Sequence, residues 1–406
     1  MSEVVSIPQL RFPEFSGEWR VDKFVDLCKF QQGVQVDVEL QSTEPKNNFL
    51  RFLRIENYTQ KSNDFRYIPK ELSSNKSITE NEIAIVRYGA TAGYIGRGLK
   101  GILANNLFKL VLNKDTLDTD YLFHLLRSYK TFCFFQSEMS GGAMPALSFG
   151  IVGALKLPYS SISEQQKIAA FLTAVDTKIE QLSKKQELLG EYKKGLMQQI
   201  FSQAIRFKAN DDSEFPDWEE KKLGDVCKLQ GGYAFKSAEF QKHGIPIIRI
   251  SNISNNNDFI DNRNLVYYNE IKNSDKFIIK NGDLIVAMSG ATTGKSSIYN
   301  LIEDAYLNQR VGLFKANNSL LDYGFLIQIV FSYIFATQLD SVLVAGAQPN
   351  VSSKDIEGFE ISLPSKIEQN KIANFLSSID SKIEQVGKQL DESKQFKKAL
   401  LQQMFV

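Results

Sequence analysis

The glycine loop Gly290-Ala-Thr-Thr-Gly294-Lys295-Ser296 has the residue types of a nucleotide-binding site. In a phosphate-binding loop, backbone N–H groups and a following Lys surround the phosphates, and four residues separate the two glycines. Here three residues separate them, and a similar loop, Gly89-Ala-Thr-Ala-Gly93-Tyr94, lacks the Lys. The spacing therefore disfavours nucleotide binding. It favours a tight glycine turn after a buried strand, with exposed Thr hydroxyls.

Other catalytic signatures are missing from the sequence. It has no Asp/Asn-Pro-Pro-Tyr/Phe tetrapeptide for adenine methyl transfer, no glycine-rich cofactor fingerprint, no helicase motif and no nuclease-like group of carboxylates. Its only histidines are His124 and His243, and Cys28, Cys133 and Cys227 have neither metal-site nor disulfide spacing. We therefore predict no catalytic site, no metal site and no cofactor in this chain. Cys28 and Cys227 are expected to be small buried residues.

Polar and basic side chains in predicted loops are better functional candidates, because they can reach the phosphates and base edges of duplex DNA. In the first half of the chain the candidates are Arg54, Asn57, Arg87, Tyr88, Thr91, Arg97, Lys100 and Asn105. In the second half they are Arg249, Asn252, Arg263, Ser289, Thr292, Lys295, Asn308, Gln309 and Arg310. Any single candidate could instead be structural or merely solvated. Asn57 and Asn252 in particular could stabilise a turn that both halves share.

The charge distribution gives mild support to DNA binding. A formal net charge of +1 argues against indiscriminate nucleic-acid binding but leaves sequence-specific binding open. The stretch from Ile83 to Lys114 carries several basic residues and no acidic one. Two matching loops, Gly142 to Leu147 and Gly346 to Val351, could face DNA or serve only as connections.

These candidates lie in a chain that contains two copies of one unit. The run Glu164-Gln165-Gln166-Lys167-Ile168-Ala169 recurs as Glu368-Gln369-Asn370-Lys371-Ile372-Ala373, and Trp19 to Gly33 matches Trp218 to Gly232 without a gap. So long a period indicates duplicated domains and not a solenoid. Short apolar runs such as Ile245 to Ile250 and Asp283 to Ala287 predict strands, and Asn252 to Asn264 predicts a loop. Asp120 to Phe135 and Tyr323 to Leu339 predict helices, so each half is expected to be a mixed α/β or α+β domain.

Each half ends in a long helix that the sequence predicts to pair with the other. Both begin with Ser-x-x-Glu capping boxes, at Ser161 and Ser365. Apolar residues then alternate at spacings of four and three, which is typical of a coiled coil. The apolar seam comprises Ile168, Leu172, Val175, Ile179, Leu182, Leu189, Ile372, Leu376, Ile379, Ile383, Val386 and Leu390. Polar seam residues (Gln186, Lys193, Ser393, Lys397) could fix the register, although each stripe could instead pack on its own domain.

An antiparallel pair is expected, because the linker from Ser202 to Glu214 is short and a whole domain must fit between the two helices. At ~1.5 Å per residue, each helix would span roughly 55–60 Å. No segment has the ~18 consecutive apolar residues of a membrane span, and we expect a cytoplasmic protein.

Taken together, the repeated motifs resemble the specificity subunit of type I restriction–modification systems. They are Trp218 with Leu223-Gly224-Asp225, the Gly-Ala-Thr-x-Gly turn, and Glu-Gln-x-Lys-Ile-Ala-x-Phe-Leu followed by Asp-x-Lys-Ile-Glu. The first copy departs from the pattern by having Phe24-Val25 in place of Leu-Gly. The resemblance covers essentially the whole chain. It implies target-recognition domains over 1–159 and 206–363, with spacer helices over 160–205 and 364–406.

The resemblance also implies what such a subunit would do. Each domain would read one half of a split, asymmetric DNA target, and the helices would set the gap. Two methyltransferase subunits with S-adenosylmethionine, and two restriction subunits that use ATP and Mg, would supply adenine methylation and cleavage. The alternatives are a stand-alone DNA-binding repressor or architectural protein, a protein–protein scaffold and, least favoured, an enzyme that uses a nucleoside triphosphate at the Gly290 loop.

Overall fold

The computed structural model describes residues 7–73, 76–139, 145–253, 258–271, 275–345 and 350–405. The predicted loop residues 142–144, 254–257 and 346–349 lie outside these ranges. The chain divides into two compact units, residues 1–184 with 387–406, and residues 185–386. The division falls inside both long helices. Each unit therefore contains one domain and half of each long helix. From the helix that follows the domain in the sequence it contains the first half, and from the other long helix it contains the last half.

The first unit is built on small β-sheets with helices beside them. Its strands are β1 Arg20–Lys23, β2 Cys28–Gln32, β3 Phe49–Leu53, β4 Arg66–Pro69, β5 Ser77–Ile78, β6 Ala84–Val86, β7 Ile95–Gly96, β8 Gly101–Leu103, β9 Leu107–Leu112 and β10 Lys156–Tyr159. Its helices are α1 Phe24–Leu27, α2 Ile55–Thr59, α3 Thr119–Leu126, α4 Tyr129–Met139, α5 Phe149–Ala154 and the start of α6 Ile162–Phe201. The strand orders are β2-β9-β6-β7 and β4-β3-β8-β5, with β1 paired to β10.

The second unit repeats this topology strand for strand. Its strands are β11 Glu219–Lys222, β12 Cys227–Gly231, β13 Ile245–Ile248, β14 Val266–Tyr268, β15 Ile278–Ile279, β16 Leu284–Ala287, β17 Ser296–Ile298, β18 Ala305–Leu307, β19 Val311–Ala316 and β20 Glu360–Leu363. Its helices are α7 Leu223–Val226, α8 Tyr323–Val330, α9 Tyr333–Ala345, α10 Ser353–Glu357 and the start of α11 Lys366–Met404. The orders β12-β19-β16-β17 and β14-β13-β18-β15 are those of the first unit. The predicted α+β duplication is confirmed.

The two amphipathic helices predicted in the domains are each broken into two. In the first unit, α3 ends at Leu126 and α4 starts at Tyr129. Between them the Ser128 Oγ accepts a hydrogen bond from the Thr131 backbone N–H at 3.3 Å, and the Thr131 hydroxyl donates to the Leu125 carbonyl at 3.0 Å. These side chains replace intrahelical bonds, which ends one helix and starts the next. The prediction of a single helix was wrong, because the apolar residues keep a helical spacing through this region. That spacing does not reveal that a serine side chain caps the start of a second helix.

The long helices run antiparallel, as predicted. Within the first unit, Ile168 near the start of α6 shares a core with Leu400 and Met404 near the end of α11. Within the second unit, Ile372 near the start of α11 shares a core with Ile200 near the end of α6. The same cores contain domain residues such as Trp19 and Trp218. The helices thus pack both on each other and on the domains, and all the predicted apolar seam residues are buried or half-buried.

Two of the polar seam positions form ion pairs between the helices. In the second unit, the Lys193 ammonium lies 2.6 Å from an Asp380 carboxylate oxygen, and Gln328 donates to the same carboxylate at 3.1 Å. In the first unit, Lys397 pairs with Asp176. Each pair can form in only one antiparallel alignment of the two helices within its unit, so it helps to fix the register.

The predicted capping boxes are only half formed. The Ser161 Oγ accepts from the Glu164 backbone N–H at 3.4 Å. The Glu164 carboxylate is buried, and it pairs with Arg11 at 2.6 Å and accepts from the Trp19 indole N–H at 3.3 Å. In the second unit, Glu368 is likewise buried against Arg206 at 2.9 Å. The glutamates therefore anchor the segment before each domain and do not bond back to the N-cap backbone.

Buried positions in the cores include the two equivalent cysteines, as predicted. Cys28 and Cys227 are both buried, and burial raises the pKa of each thiol to about 12.

Among the described residues, no single helix is long and apolar enough to cross a membrane. In the same part of the chain, the helices Tyr323–Val330 and Tyr333–Val344 are long and apolar enough when taken together, but they are bent by 55° at the break between them.

Candidate nucleic-acid interface

Glycine turns follow the central strands β6 and β16, as the sequence predicts. Gly89 and Gly93 have φ angles of 90° and 86°, and Gly290 and Gly294 have 86° and 80°. These left-handed conformations favour glycine because a Cβ atom would be strained there. The Gly93 N–H donates to the Val86 carbonyl at 2.8 Å, which closes the turn at the end of its strand.

A second turn lies directly beside each glycine turn. The Arg87 N–H donates to the Asn106 carbonyl at 2.8 Å, and the Met288 N–H donates to the Arg310 carbonyl at 2.8 Å. The structure therefore brings together many of the predicted candidates at one end of the four-stranded sheet in each unit. The first set is Arg87, Tyr88, Thr91 and Asn105, and the second is Ser289, Thr292, Lys295, Gln309 and Arg310.

Aromatic rings hold the Arg87 guanidinium of the first set. Its carbon lies 4.9 Å from the centre of the Tyr88 ring and 4.5 Å from the centre of the Phe149 ring. Such stacking positions the guanidinium and leaves its edge able to bind an anion. Tyr88 is 38% exposed, so an aromatic surface borders this cation.

In the second set, Lys295, Gln309 and Arg310 are exposed. The Thr292 hydroxyl donates to the Ile250 carbonyl at 3.1 Å, which ties the glycine turn to the turn that begins at Arg249. Because this donor is used inside the protein, the three exposed side chains are the better placed to contact a ligand.

The turns that contain Asn57 and Asn252 have a structural role. The Asn57 side-chain oxygen accepts from the Arg54 N–H at 2.8 Å, and its amide donates to the Ser62 carbonyl at 2.9 Å. Asn252 accepts from the Arg249 N–H at 3.1 Å and donates to the Asp261 carbonyl at 3.0 Å. Both asparagines are buried. They stabilise the shared turn, which is the alternative that the sequence left open, and we leave them out of the proposed DNA contacts.

Several basic candidates are already paired within the protein. Arg54 pairs with Glu56 at 2.8 Å, and Arg97 pairs with Asp120 on α3 while lying 4.0 Å from the Phe123 ring centre. These arginines would have to leave their partners, or share them, to bind phosphate.

The remaining basic candidates differ in their surroundings. The Arg263 side chain pairs with Asp261 and holds the pKa of that carboxyl at about 2. Arg249 donates to the Asn264 carbonyl at 3.1 Å. Lys100 is exposed in the turn between β7 and β8.

Two further residues contact these candidates and were not singled out in the sequence. In the first unit Gln35 accepts a hydrogen bond from Asn105. In the second, the Tyr233 carbonyl accepts from the Gln309 N–H at 2.9 Å, and Tyr233 is 37% exposed. The sequence feature that could have pointed to these two residues is the glycine just before them, which recurs as Gly33 and Gly232. A Cβ atom on Gly232 would lie 2.1 Å from the Leu307 carbonyl oxygen, so glycine there permits close backbone approach.

The departure at Phe24-Val25 has a packing explanation. In the second copy, a Cβ atom on Gly224 would lie 2.9 Å from the Glu357 Cβ. In the first copy, Val25 fills that position and Gly153 stands opposite, where an added Cβ would lie 3.0 Å from the Val25 Cβ. Each copy thus has one glycine at this contact. It is Gly224 in the second copy and Gly153 in the first, and the two glycines lie on opposite sides of the contact.

The family model for the type I restriction modification DNA specificity domain matches residues 17–189 and 216–392. The chain belongs to this family. Specificity subunits recognise the DNA target and direct a type I restriction–modification complex, and they are its non-catalytic component. The resemblance stated from the repeated motifs is therefore confirmed, and so is the interpretation of the chain as a binder.

Individual relatives agree with this family. The chain is 29% identical to the type I restriction enzyme MjaVIII specificity subunit of Methanocaldococcus jannaschii, over 97% of this chain and 92% of that protein. It is 27% identical to the EcoAI specificity subunit of Escherichia coli, over 43% of this chain and 30% of that protein. The solved S subunit from M. genitalium has the same fold, with a TM-score of 0.66, 17% identity and 99% of both chains covered.

Proposed function

We propose that the two domains read the two halves of a bipartite DNA target, and that the side chains at the paired turns make the contacts. The observation that supports this proposal is that the two domains have the same topology but different side chains at the paired turns. Asn105 and Gln309 occupy equivalent places beside the glycine turns, as do Tyr88 and Ser289. Because different side chains prefer different base edges, the two half-sites should differ and the target should be asymmetric.

The proposed contacts fall into two kinds. Arg87, Lys100, Lys295 and Arg310 supply positive charge for phosphates, which gives affinity without reading the sequence. Tyr88, Thr91, Asn105 and Gln309 are candidates for contacts with bases, and Ser289, whose hydroxyl is buried, is a secondary candidate. Arg54, Arg97, Arg249, Arg263 and Thr292 make contacts within the protein and stay in the proposed set as secondary candidates.

The specificity subunit assembles with other subunits of the type I system. We infer two methyltransferase subunits that bring S-adenosylmethionine and modify adenine, and two restriction subunits that bring ATP and Mg for translocation and cleavage. Two copies of each partner match a chain that repeats its own structure. No residue cluster in this chain is assigned to any of these cofactors.

A pair of matched substitutions tests the half-site assignment. Gln309→Ala and Asn105→Ala are made in cells that carry the chain and its methyltransferase subunit, and methylated adenines are mapped across the genome. Each variant should relax specificity in one half of the motif only, by about 1–3 kcal/mol at the contacted base pair. Relaxation of the same half by both variants would contradict the proposal. Lys315→Ala, an exposed Lys on β19, serves as the control and should leave the motif unchanged.

A further inference from the structure

An aromatic cluster lies beside the paired turns of the second unit. We call it the Tyr233 cluster, and its members are Tyr233, Phe235, Tyr268, Phe277 and Tyr306. The ring centre of Tyr233 lies 5.0 Å from that of Phe235 and 5.3 Å from that of Phe277. The Phe235 ring lies 5.0 Å from Tyr268 and 5.6 Å from Tyr306. Such close ring contacts are favourable, so the rings hold one another in place.

The first unit has aliphatic residues where the second has most of this cluster. Ile102 of β8 and Tyr306 of β18 occupy the same place in the repeated sheet, because each pairs with the equivalent strand, β3 or β13. The same register and the match of Gly33 with Gly232 assign the remaining positions. The five aromatic residues correspond to Val34, Val36, Ile68, Lys76 and Ile102.

The two sets of residues differ in exposure as well as in type. The four aliphatic residues of the first unit belong to one core, and none of them is more than 8% exposed. In the second unit, Tyr306 is fully buried, but Phe235 and Phe277 are only half-buried and Tyr233 is 37% exposed. The repeated sheet can therefore be closed with Val and Ile. Because folding does not need an exposed aromatic residue here, we look for its use outside the protein.

The position of Tyr233 connects it to the proposed DNA contacts. Its carbonyl accepts from the Gln309 N–H at 2.9 Å, so the aromatic cluster is continuous with the turn whose amide side chain would contact a base. On the other side of Tyr233, the Lys276 ammonium lies 4.9 Å from the centre of the Phe277 ring, and Lys276 is exposed. The exposed tyrosine thus lies between an amide suited to a base edge and a cation suited to a phosphate.

The chemistry of the major groove indicates what an exposed aromatic residue would contact there. The base edges in this groove are polar, apart from the C5-methyl group of thymine. An aromatic ring held by its neighbours can pack on that methyl group, and Gln prefers adenine, the base that pairs with thymine. We propose that Tyr233 is a specificity-determining residue that packs on the C5-methyl group of a thymine in the half-site of the second domain. This inference rests on the proposed function, because it takes the paired turns as the surface that reads DNA.

The test removes the methyl group and the ring separately. The chain is produced with its methyltransferase subunit, and the target motif is obtained from a map of methylated adenines. Each thymine of the motif is then replaced singly by deoxyuridine, which lacks only the C5-methyl group. Dissociation constants for these duplexes are measured at one salt concentration for the wild-type complex and for complexes with Tyr233→Phe and Tyr233→Val. Valine is the residue that the first unit has at this position, and Trp218 fluorescence checks that each variant is folded.

One thymine in the second half of the motif should be distinguished from uracil. Its replacement should weaken binding by the wild type and by Tyr233→Phe about fourfold, the loss expected for one buried methyl group. Tyr233→Val should bind the unmodified target about fourfold more weakly and should no longer distinguish uracil from thymine at that position. Thymines in the first half are the matched control, and their replacement should have the same effect in all three complexes.

Two results would overturn the inference and leave the proposed function standing. In the first, no thymine has an effect that differs between the wild type and Tyr233→Val. In the second, Tyr233→Phe loses the distinction as Tyr233→Val does, which would mean that the hydroxyl and not the ring makes the contact. A wild-type complex that methylates no split motif would overturn the proposed function, and this inference with it.

Discussion

His124 shows how one residue can make the two copies respond differently to pH. It is buried, its Nε2 lies 3.1 Å from the Thr173 hydroxyl, and its Nδ1 lies 3.8 Å from an Asp176 oxygen. Burial lowers the pKa of this imidazole to about 4, against the opposing effect of Asp176 and with smaller contributions from Lys397, Arg97 and Arg127. The folded state thus favours the neutral ring. Gln328, at the equivalent position of the second unit, cannot titrate.

We predict that acid destabilises the first unit through His124. The pKa of His124 in the folded protein lies below its value of about 6.5 in the unfolded chain. The free energy of unfolding is therefore unaffected by His124 above pH 6.5, and it decreases as the pH falls towards 4, because the unfolded chain binds a proton that the folded protein does not. Between about pH 7 and pH 4.5 the free energy of unfolding should fall by about 2–3 kcal/mol more in the wild type than in His124→Gln.

The two Trp residues allow this to be measured unit by unit, because Trp19 lies in the first core and Trp218 in the second. Urea unfolding is followed by Trp19 fluorescence in a Trp218→Phe background. The reciprocal Trp19→Phe chain reports the second unit and should be insensitive to His124→Gln. Equal acid sensitivity of His124→Gln and the wild type would contradict the prediction.

At the scale of an element, the long helices depend on a few charges in an otherwise apolar seam. Lys193 pairs with Asp380, and its side chain is only 11% exposed. Burial raises the pKa of Asp258 in the same unit, Lys193 lowers it and Asp380 raises it again. Lys193 pairs with Asp380 across the helices, and the register that brings these two side chains together is favoured over any shifted one.

Removing this cation should destabilise the second unit. Lys193→Met keeps the length and apolar stem of the side chain but leaves the Asp380 carboxylate without its paired cation. We expect the free energy of unfolding, read from Trp218, to fall by about 2–3 kcal/mol, somewhat less than for a fully buried pair because Asp380 is 35% exposed. Lys236→Met breaks the exposed Lys236–Glu239 pair and should change it by less than about 0.5 kcal/mol. Equal effects of the two substitutions would show that the seam pair has no special role.

The elements also show which parts of the fold are readable from sequence. The duplication, the antiparallel helices and the glycine turns follow from local patterns that recur twice, so the repeat itself acts as a check. The break at Ser128 depends on a local side-chain cap that hydrophobic periodicity does not reveal, and the anchoring of Glu164 by Arg11 depends on side chains that meet across a long sequence separation. The same holds for the site. Arg87 and Lys295 were found by type and position, whereas the contact of Tyr233 with Gln309 required knowing which turns lie side by side.

At the scale of the whole molecule, the exchange of helix halves between units has a consequence for specificity. Residues 210–360 lie entirely within the second unit, and the helix segments of that unit, 185–201 and 366–386, lie outside the exchanged stretch. Replacing 210–360 by the corresponding stretch of another specificity subunit should therefore change one reader and leave both helices intact. Methylated adenines mapped with the methyltransferase subunit present should keep one half of the motif and its spacing, and change the other half. The reciprocal replacement of 20–155 should change only the first half. If either replacement altered both halves while the complex stayed intact, the two domains could not be independent readers, and a single composite binding surface would be the better description.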